Sequence, residues 1–170
     1  MDYQDMKNNQ TFSQWCKTFS HYGIGGLLDE NQMPMKEHIP ALRSLYLGLD
    51  RFIQAQDKYN IYQQALNEIK NGKKVSHWIW FIFPQMGGLG KSEMSKFYGI
   101  NGRDEAKEYI NHPVLRERLI EVTEAVYNNE NTVYEIFGND AIKVRSCMLL
   151  FASVSDIPIF KSMIKKYCWN

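Results

Sequence analysis

Ser76-His77-Trp78-Ile79-Trp80-Phe81-Ile82-Phe83-Pro84 is the stretch that decides the fold. Its six central residues are all apolar, so periodicity alone fits a buried strand or a buried helical turn. The neighbours separate the two readings. Every flanking segment has helical spacing, and a lone buried strand would leave its backbone donors and acceptors without a ladder partner. A short helix is therefore predicted, N-capped by Ser76 and stopped by Pro84.

Upstream, Phe52, Ile53, Tyr59, Tyr62, Ala65, Leu66 and Ile69 recur at three- and four-residue steps from Asp50 to Asn71-Gly72, with a break expected near Asp57-Lys58. Downstream, Gly87-Gly88-Leu89-Gly90 reads as a turn, followed by Ser92 as the N-cap of a short helix through Phe97. A helix opening at Arg103 or Asp104 and a second carrying Val114, Leu115, Leu119, Val122, Ala125 and Val126 form a hairpin about Asn111-His112-Pro113. After the polar turn 128–131 come a short turn ended by Gly138 and helices predicted over 140–153 and 157–167. The expected fold class is mainly α, with little or no strand. Residues 1–48 differ in character, with Gly23, Gly25, Gly26, Pro34 and Pro40. They are read as an N-terminal extension with one amphipathic helix on Phe12, Trp15, Cys16 and Phe19.

The composition agrees with a folded chain. In 170 residues, 44% are apolar and 14% aromatic, and twenty Lys plus Arg face nineteen Asp plus Glu for a net charge of +1. Disorder needs more charge and less apolar surface, and electrostatic binding of nucleic acid needs a basic excess, so no nucleic-acid partner is expected. A single core of this size needs no disulfide or metal staple. Cys16, Cys147 and Cys168 are an odd set without metal-ligand spacing, which points to a reducing compartment and to no metal. The longest apolar runs fall far short of the ~20 residues a bilayer span needs. The expectation is a soluble, cytoplasmic protein without a cofactor.

Three places carry candidate chemistry. Gln85-Met86-Gly87-Gly88-Leu89-Gly90-Lys91-Ser92 nearly matches a phosphate-binding loop, but Gln85 stands where the first glycine belongs and no parallel strands or magnesium-binding aspartate accompany it. A glycine turn is the plain alternative, and an anion at the following helix N-terminus lies between the two. His77 sits among aromatics, either as a hydrogen-bonded structural histidine or as a general acid or base beside a substrate. Trp78 and Trp80 either pack inside or line a cleft fit for a planar base, because a helix apolar on all sides is hard to bury completely. Asp140-Ala141-Ile142-Lys143-Val144-Arg145-Ser146 opens a helix: Asp140 is a natural cap, while Lys143 and Ser146 share a face that could recognise an anion.

Several blocks together carry a resemblance: Tyr62-x-x-Ala65-Leu66-x-Glu68-Ile69-x-x-Gly72-x-Lys74, Ser76-His77-Trp78-x-Trp80-Phe81-x-Phe83-Pro84-Gln85, Gly88-Leu89-Gly90-x-Ser92-x-x-Ser95-x-x-Tyr98-Gly99-Ile100, His112-Pro113-Val114-Leu115-x-x-Arg118-Leu119 and Lys143-x-x-Ser146-x-Met148. From about Leu49 to Tyr167 the chain resembles the bacterial domain-of-unknown-function family 1810, whose members are often mislabelled calpastatin. The resemblance implies a compact, orthogonal helical domain over 49–170, similar to the YbiA-like group. That group's NADAR members cleave N-glycosidic bonds in ADP-ribose or riboflavin-precursor compounds, although no position-by-position match to the NADAR signatures is found here. Leu149 departs from the threonine that family members usually have at this place.

The functional expectation is an N-glycoside hydrolase acting on a nucleotide-like or ADP-ribose-like small molecule. Asp140 or His77 would handle the proton. Trp78 and Trp80 would stack the base. The turn at Gly88 and Gly90, with Lys91 and Lys143, would hold phosphate, and Gln85, Ser92, Tyr98 and Ser146 would complete the substrate site. The alternatives are a non-catalytic nucleotide- or ADP-ribose-binding module, or a domain that docks a protein partner through residues 1–48.

Overall fold

Residues 48–170 are described by the computed structural model, and they are helical almost throughout. The extension, with the helix expected on Phe12 to Phe19, lies outside the described residues. In chain order the helices are α1 (Asp50–Asp57), α2 (Ile61–Lys70), α3 (Ile79–Ile82), α4 (Glu93–Tyr98), α5 (Gly102–Asn111), α6 (Pro113–Tyr127), α7 (Val133–Phe137), α8 (Ala141–Val154) and α9 (Pro158–Lys166). Short 3-10 turns at Lys58–Asn60 and Gly138–Asp140 join α1 to α2 and α7 to α8. Among the described residues there is no sheet; one parallel bridge ties Met86 to Ile100.

The expected break near Asp57-Lys58 is a left-handed turn, with φ of 54° at Tyr59 and 57° at Asn60. It folds α2 back against α1. Local chemistry sets most other boundaries. Gly72, at φ 81°, terminates α2 in a conformation that glycine adopts without steric cost. His112 accepts the Leu115 N–H through Nδ1, with Pro113 at the first position of α6. Thr132 and Glu135 form a reciprocal capping box on α7.

The centre of the Trp78–Phe83 run, Ile79–Ile82, is a helix, as its context predicts, with Trp78 and Phe83 at its caps, but Ser76 is not its N-cap. Trp78 occupies the N-cap position, no side chain caps the helix, and the Ser76 hydroxyl is spent on Glu68 and Gln64. Being apolar all round, α3 is enclosed: Trp78, Ile79, Phe81, Ile82 and Phe83 are buried, and Trp80 is half-buried. Two groups of rings radiate from it. Phe137 meets Trp78 and Phe83 edge-on at 6.0 and 5.4 Å. Tyr98 lies 5.2 Å from Phe81 and 5.9 Å from Phe52, and Phe52 meets Tyr109 edge-on at 5.1 Å. Tyr109 then reaches Phe151 on α8. The core is thus continuous from α3 to the α8–α9 pair.

One buried charge locks α1 to this assembly. The Arg51 guanidinium donates to the carbonyls of Phe97 and Gly99, each at 2.9 Å, and pairs with Glu105. It holds the end of α4 against α1 and α5. Leaving those acceptors unpaired inside the fold costs about 3 kcal/mol. Arg51→Met is therefore expected to lower the unfolding free energy in urea by that amount; a loss below about 1 kcal/mol, the range of exposed pairs, would contradict this role.

Candidate functional site

Glu68 on α2 organises the approach to α3. Its carboxylate accepts from Val75 N (2.7 Å), Ser76 N (3.0 Å), Ser76 Oγ (2.6 Å) and the Trp78 indole Nε1 (2.8 Å). Burial alone would raise its pKa, but the hydrogen bonds from Ser76, Val75 and Trp78 prevail and bring it down to about 2. This knot seals Trp78, whose ring is fully buried. Trp78 lines no recess. His77, between Ser76 and Trp78, is exposed and is not drawn into one either.

Trp80 faces the other way. With Gln85, Ser95, Tyr98 and Lys143 it lines a small recess, closed by Phe83 and Gly99. These residues come from α3, the loop after it, α4 and α8. Two backbone bonds place the loop: Ile100 N donates to Gln85 O and Gly87 N to Ile100 O, both at 2.9 Å. The strands of chain run so close that a Cβ on Gly99 would stand 2.7 Å from the Gly87 Cα and 2.9 Å from Ser95 O. Hence glycine is required at Gly99. The free volume of the recess is about 10 Å³, close to the least that holds one water.

Behind the recess is a charge triad. Lys143 donates to Asp140 Oδ1 at 2.8 Å, and Lys74, from the turn after α2, pairs with Oδ2 at 3.1 Å. Asp140 stands at the N-cap position of α8 but makes no side-chain cap bond, because both oxygens go to lysines. Burial pushes the Asp140 carboxyl up, yet hydrogen bonds and charge from Lys143 and Lys74 more than offset this and hold it below its ordinary value. It is ionised at neutral pH. Two lysines on one carboxylate leave a local excess of one positive charge, sited beside an aromatic ring.

The remaining nominated residues lie elsewhere. Ser92 caps α4 by accepting from Ser95 N at 3.1 Å, and Lys91 and Gly88 are exposed on the loop. Gly90 is half-buried beside Ser95. The glycine stretch is a turn that shapes the recess, and α4, at six residues, is too short to present a strong dipole. Ser146 donates to the Ile142 carbonyl within its own helix. Leu149 is half-buried on α8 and outside the recess. Sequence reading therefore missed Lys74 and Ser95, and placed Trp78 in the wrong company. The signal for Trp78 was available in principle: an indole ten residues after Glu68, with Ser76 between, can share that carboxylate.

A far larger groove, about 760 Å³, runs along α6 between Asn111, Ile120, Ile157 and Ser162, and holds none of the nominated residues. No group of three or more metal-ligating side chains forms among the described residues. Nor is any described helix long and apolar enough to cross a membrane.

Among the described residues, the fold and recess define a helical domain with an aromatic–cationic depression. The family described as "Protein of unknown function (DUF1810)" matches residues 46–170, and the chain belongs to that family. It is similar to the crystal structure of the conserved hypothetical protein Rv1873 from Mycobacterium tuberculosis, at 38% identity and a TM-score of 0.68, over 72% of this chain and 89% of that one. No curated protein matches the chain.

The knot at Glu68 has a testable pH signature. A carboxylate with a depressed pKa contributes stability in full above its ordinary value of 4.5 and loses it as pH falls toward 2. Glu68→Gln is expected to cost about 2 kcal/mol at neutral pH, the scale of hydrogen bonds to a charged group, and to flatten the stability profile across that acid window. Identical acid profiles for the two proteins would remove Glu68 from this role.

Proposed function

We propose that the Trp80–Lys143 recess anchors a nucleotide-like or ADP-ribose-like small molecule whose N-glycosidic bond the protein hydrolyses. The supporting observation is that Trp80, Gln85, Tyr98 and Lys143, drawn from separate segments, share one recess with an ionised carboxylate behind it. At about one water's volume, the recess suits a single anionic oxygen group rather than a whole base. The flat ring of the ligand would lie across Trp80 at the mouth, where stacking contributes ~1–3 kcal/mol. A phosphate oxygen would meet Lys143 in a charge-assisted hydrogen bond.

In the reaction, water adds to the anomeric carbon while the C–N bond breaks. The bond pair leaves with the base nitrogen, which takes up a proton, so a ribosyl hydroxyl and a free base result. Asp140 is the carboxylate suited to stabilise the oxocarbenium-like transition state. This is the chemistry that the NADAR resemblance implies; neither His77 nor Asp140 lines the recess, but Asp140 is favoured for proton handling because it pairs with the lining Lys143, whereas His77 is exposed. One observation favours the competing reading, binding without turnover: both Asp140 oxygens are engaged by lysines, which weakens the group as a base. A cytoplasmic setting fits the free thiols Cys147 and Cys168 among the described residues.

The test incubates the full chain with ADP-ribose, NAD and nucleoside monophosphates, following melting and product by chromatography. A ligand at 100 times its Kd adds about 2.7 kcal/mol, or about 5–10 °C. The shift should vanish in Trp80→Ala and Lys143→Met, and product should vanish in Asp140→Asn. A shift without product establishes the binding module; neither shift nor product for any ligand removes the recess as a nucleotide site.

A further inference from the structure

Asp140 has two lysine partners, and one of them lines the recess. Lys143 does so from the first turn of α8, with its side chain 24% exposed. Lys74 does not, and it is held more tightly. Its side chain is 11% exposed, its backbone N–H donates to Ile136 O at 2.8 Å, and its ammonium lies 5.3 Å from the centre of the Trp78 ring. That ring is itself fixed by Glu68. A half-buried carboxylate is costly to leave without a cation. An anionic ligand that draws Lys143 away would create that situation unless a second cation stays behind.

We propose that Lys74 is a positioning residue that keeps Asp140 paired, so that Lys143 can leave the carboxylate for the anionic group of the ligand. Lys143 exchanges one oxygen for another, and Asp140 retains an ion pair throughout. Without Lys74 the exchange would strand a carboxylate beside an incoming anion, and Lys143 would stay where it is. The charged groups that act on Asp140 are these two lysines, one from the turn after α2 and one from α8. The inference rests on the reading of the recess as an anion site and adds how that site is armed.

A double-mutant cycle on the full chain separates this role from simple attraction of an anion by a nearby lysine. ADP-ribose is titrated calorimetrically into the unaltered protein, Lys74→Met, Asp140→Asn and the double variant. Lys74→Met is expected to weaken binding about tenfold, within the range of couplings between contacting residues. With Asp140→Asn in place there is no carboxylate to strand, so the second substitution should change affinity by no more than about twofold. Equal losses in both backgrounds, or no loss in either, overturn the positioning role while leaving the recess reading intact. Failure of the unaltered protein to bind ADP-ribose overturns both together. Should Lys74→Met not fold, the carboxyl carbon of Asp140 in the unaltered protein decides the matter. With ADP-ribose bound, its titration should remain below the ordinary 3.8; a rise above that value overturns the exchange.

Discussion

Six consecutive apolar residues cannot be left on a surface, and enclosing them on every side forces each polar group among them to find a partner inside the protein. Full burial of a large apolar side chain contributes about 1.5–3 kcal/mol, and an unsatisfied buried donor or acceptor costs about 1–3 kcal/mol. The two are of the same size. Enclosure of Trp78 to Phe83 is therefore favourable only where the polar groups are matched, and this fold matches them. Glu68 takes the Trp78 indole, and Gln56 donates to the Phe81 carbonyl at 2.8 Å. Gln56 in turn accepts from Arg118, which pairs with Asp57 at 2.8 Å. Both anchors come from the broken α1–α2 hairpin, so the left-handed turn at Tyr59 and Asn60 serves the seating of α3.

The same constraint accounts for the site. Because the core takes five of the six side chains nearly completely, Trp80 is the ring that remains half-exposed, and it emerges where α4 and the loop after α3 meet the start of α8. The close passage of Gly87 and Gly99 brings Gln85 and Ser95 to that point. The Asp140 carboxylate, freed from capping, collects two lysines within reach of it. Aromatic surface and net positive charge are thus adjacent for reasons that begin with packing.

Much of the architecture was legible because it follows from local spacing and punctuation: the apolar stripe of α6, the Pro113 start, the Ser92 cap and the Gly72 and Gly138 stops depend on neighbours within a few residues. The helical turn within Trp78 to Phe83, Ile79–Ile82, was legible by elimination, from the lack of any strand to pair with it. What was not legible depends on partners distant in sequence. The spacing of Glu68, Ser76 and Trp78 permits a shared carboxylate without requiring one, and nothing near Asp140 indicates that Lys74, 66 positions earlier, would turn a helix cap into the centre of an ion-pair triad. At the candidate site, Trp80, Gln85, Tyr98 and Lys143 were named from residue type and motif and do come together. Trp78, Lys91, Ser92 and Ser146 were named on the same grounds and do not, because local motifs do not specify which face a side chain will present once the helix is packed.

The most direct measurement is a crystal structure of the full chain grown with ADP-ribose. The account predicts a ligand ring lying over Trp80 and a phosphate oxygen within hydrogen-bond distance of Lys143 Nζ, with Lys74 still on Asp140. A ligand seated in the long groove beside α6, with Lys143 unmoved from Asp140 and Trp80 uncovered, would contradict it.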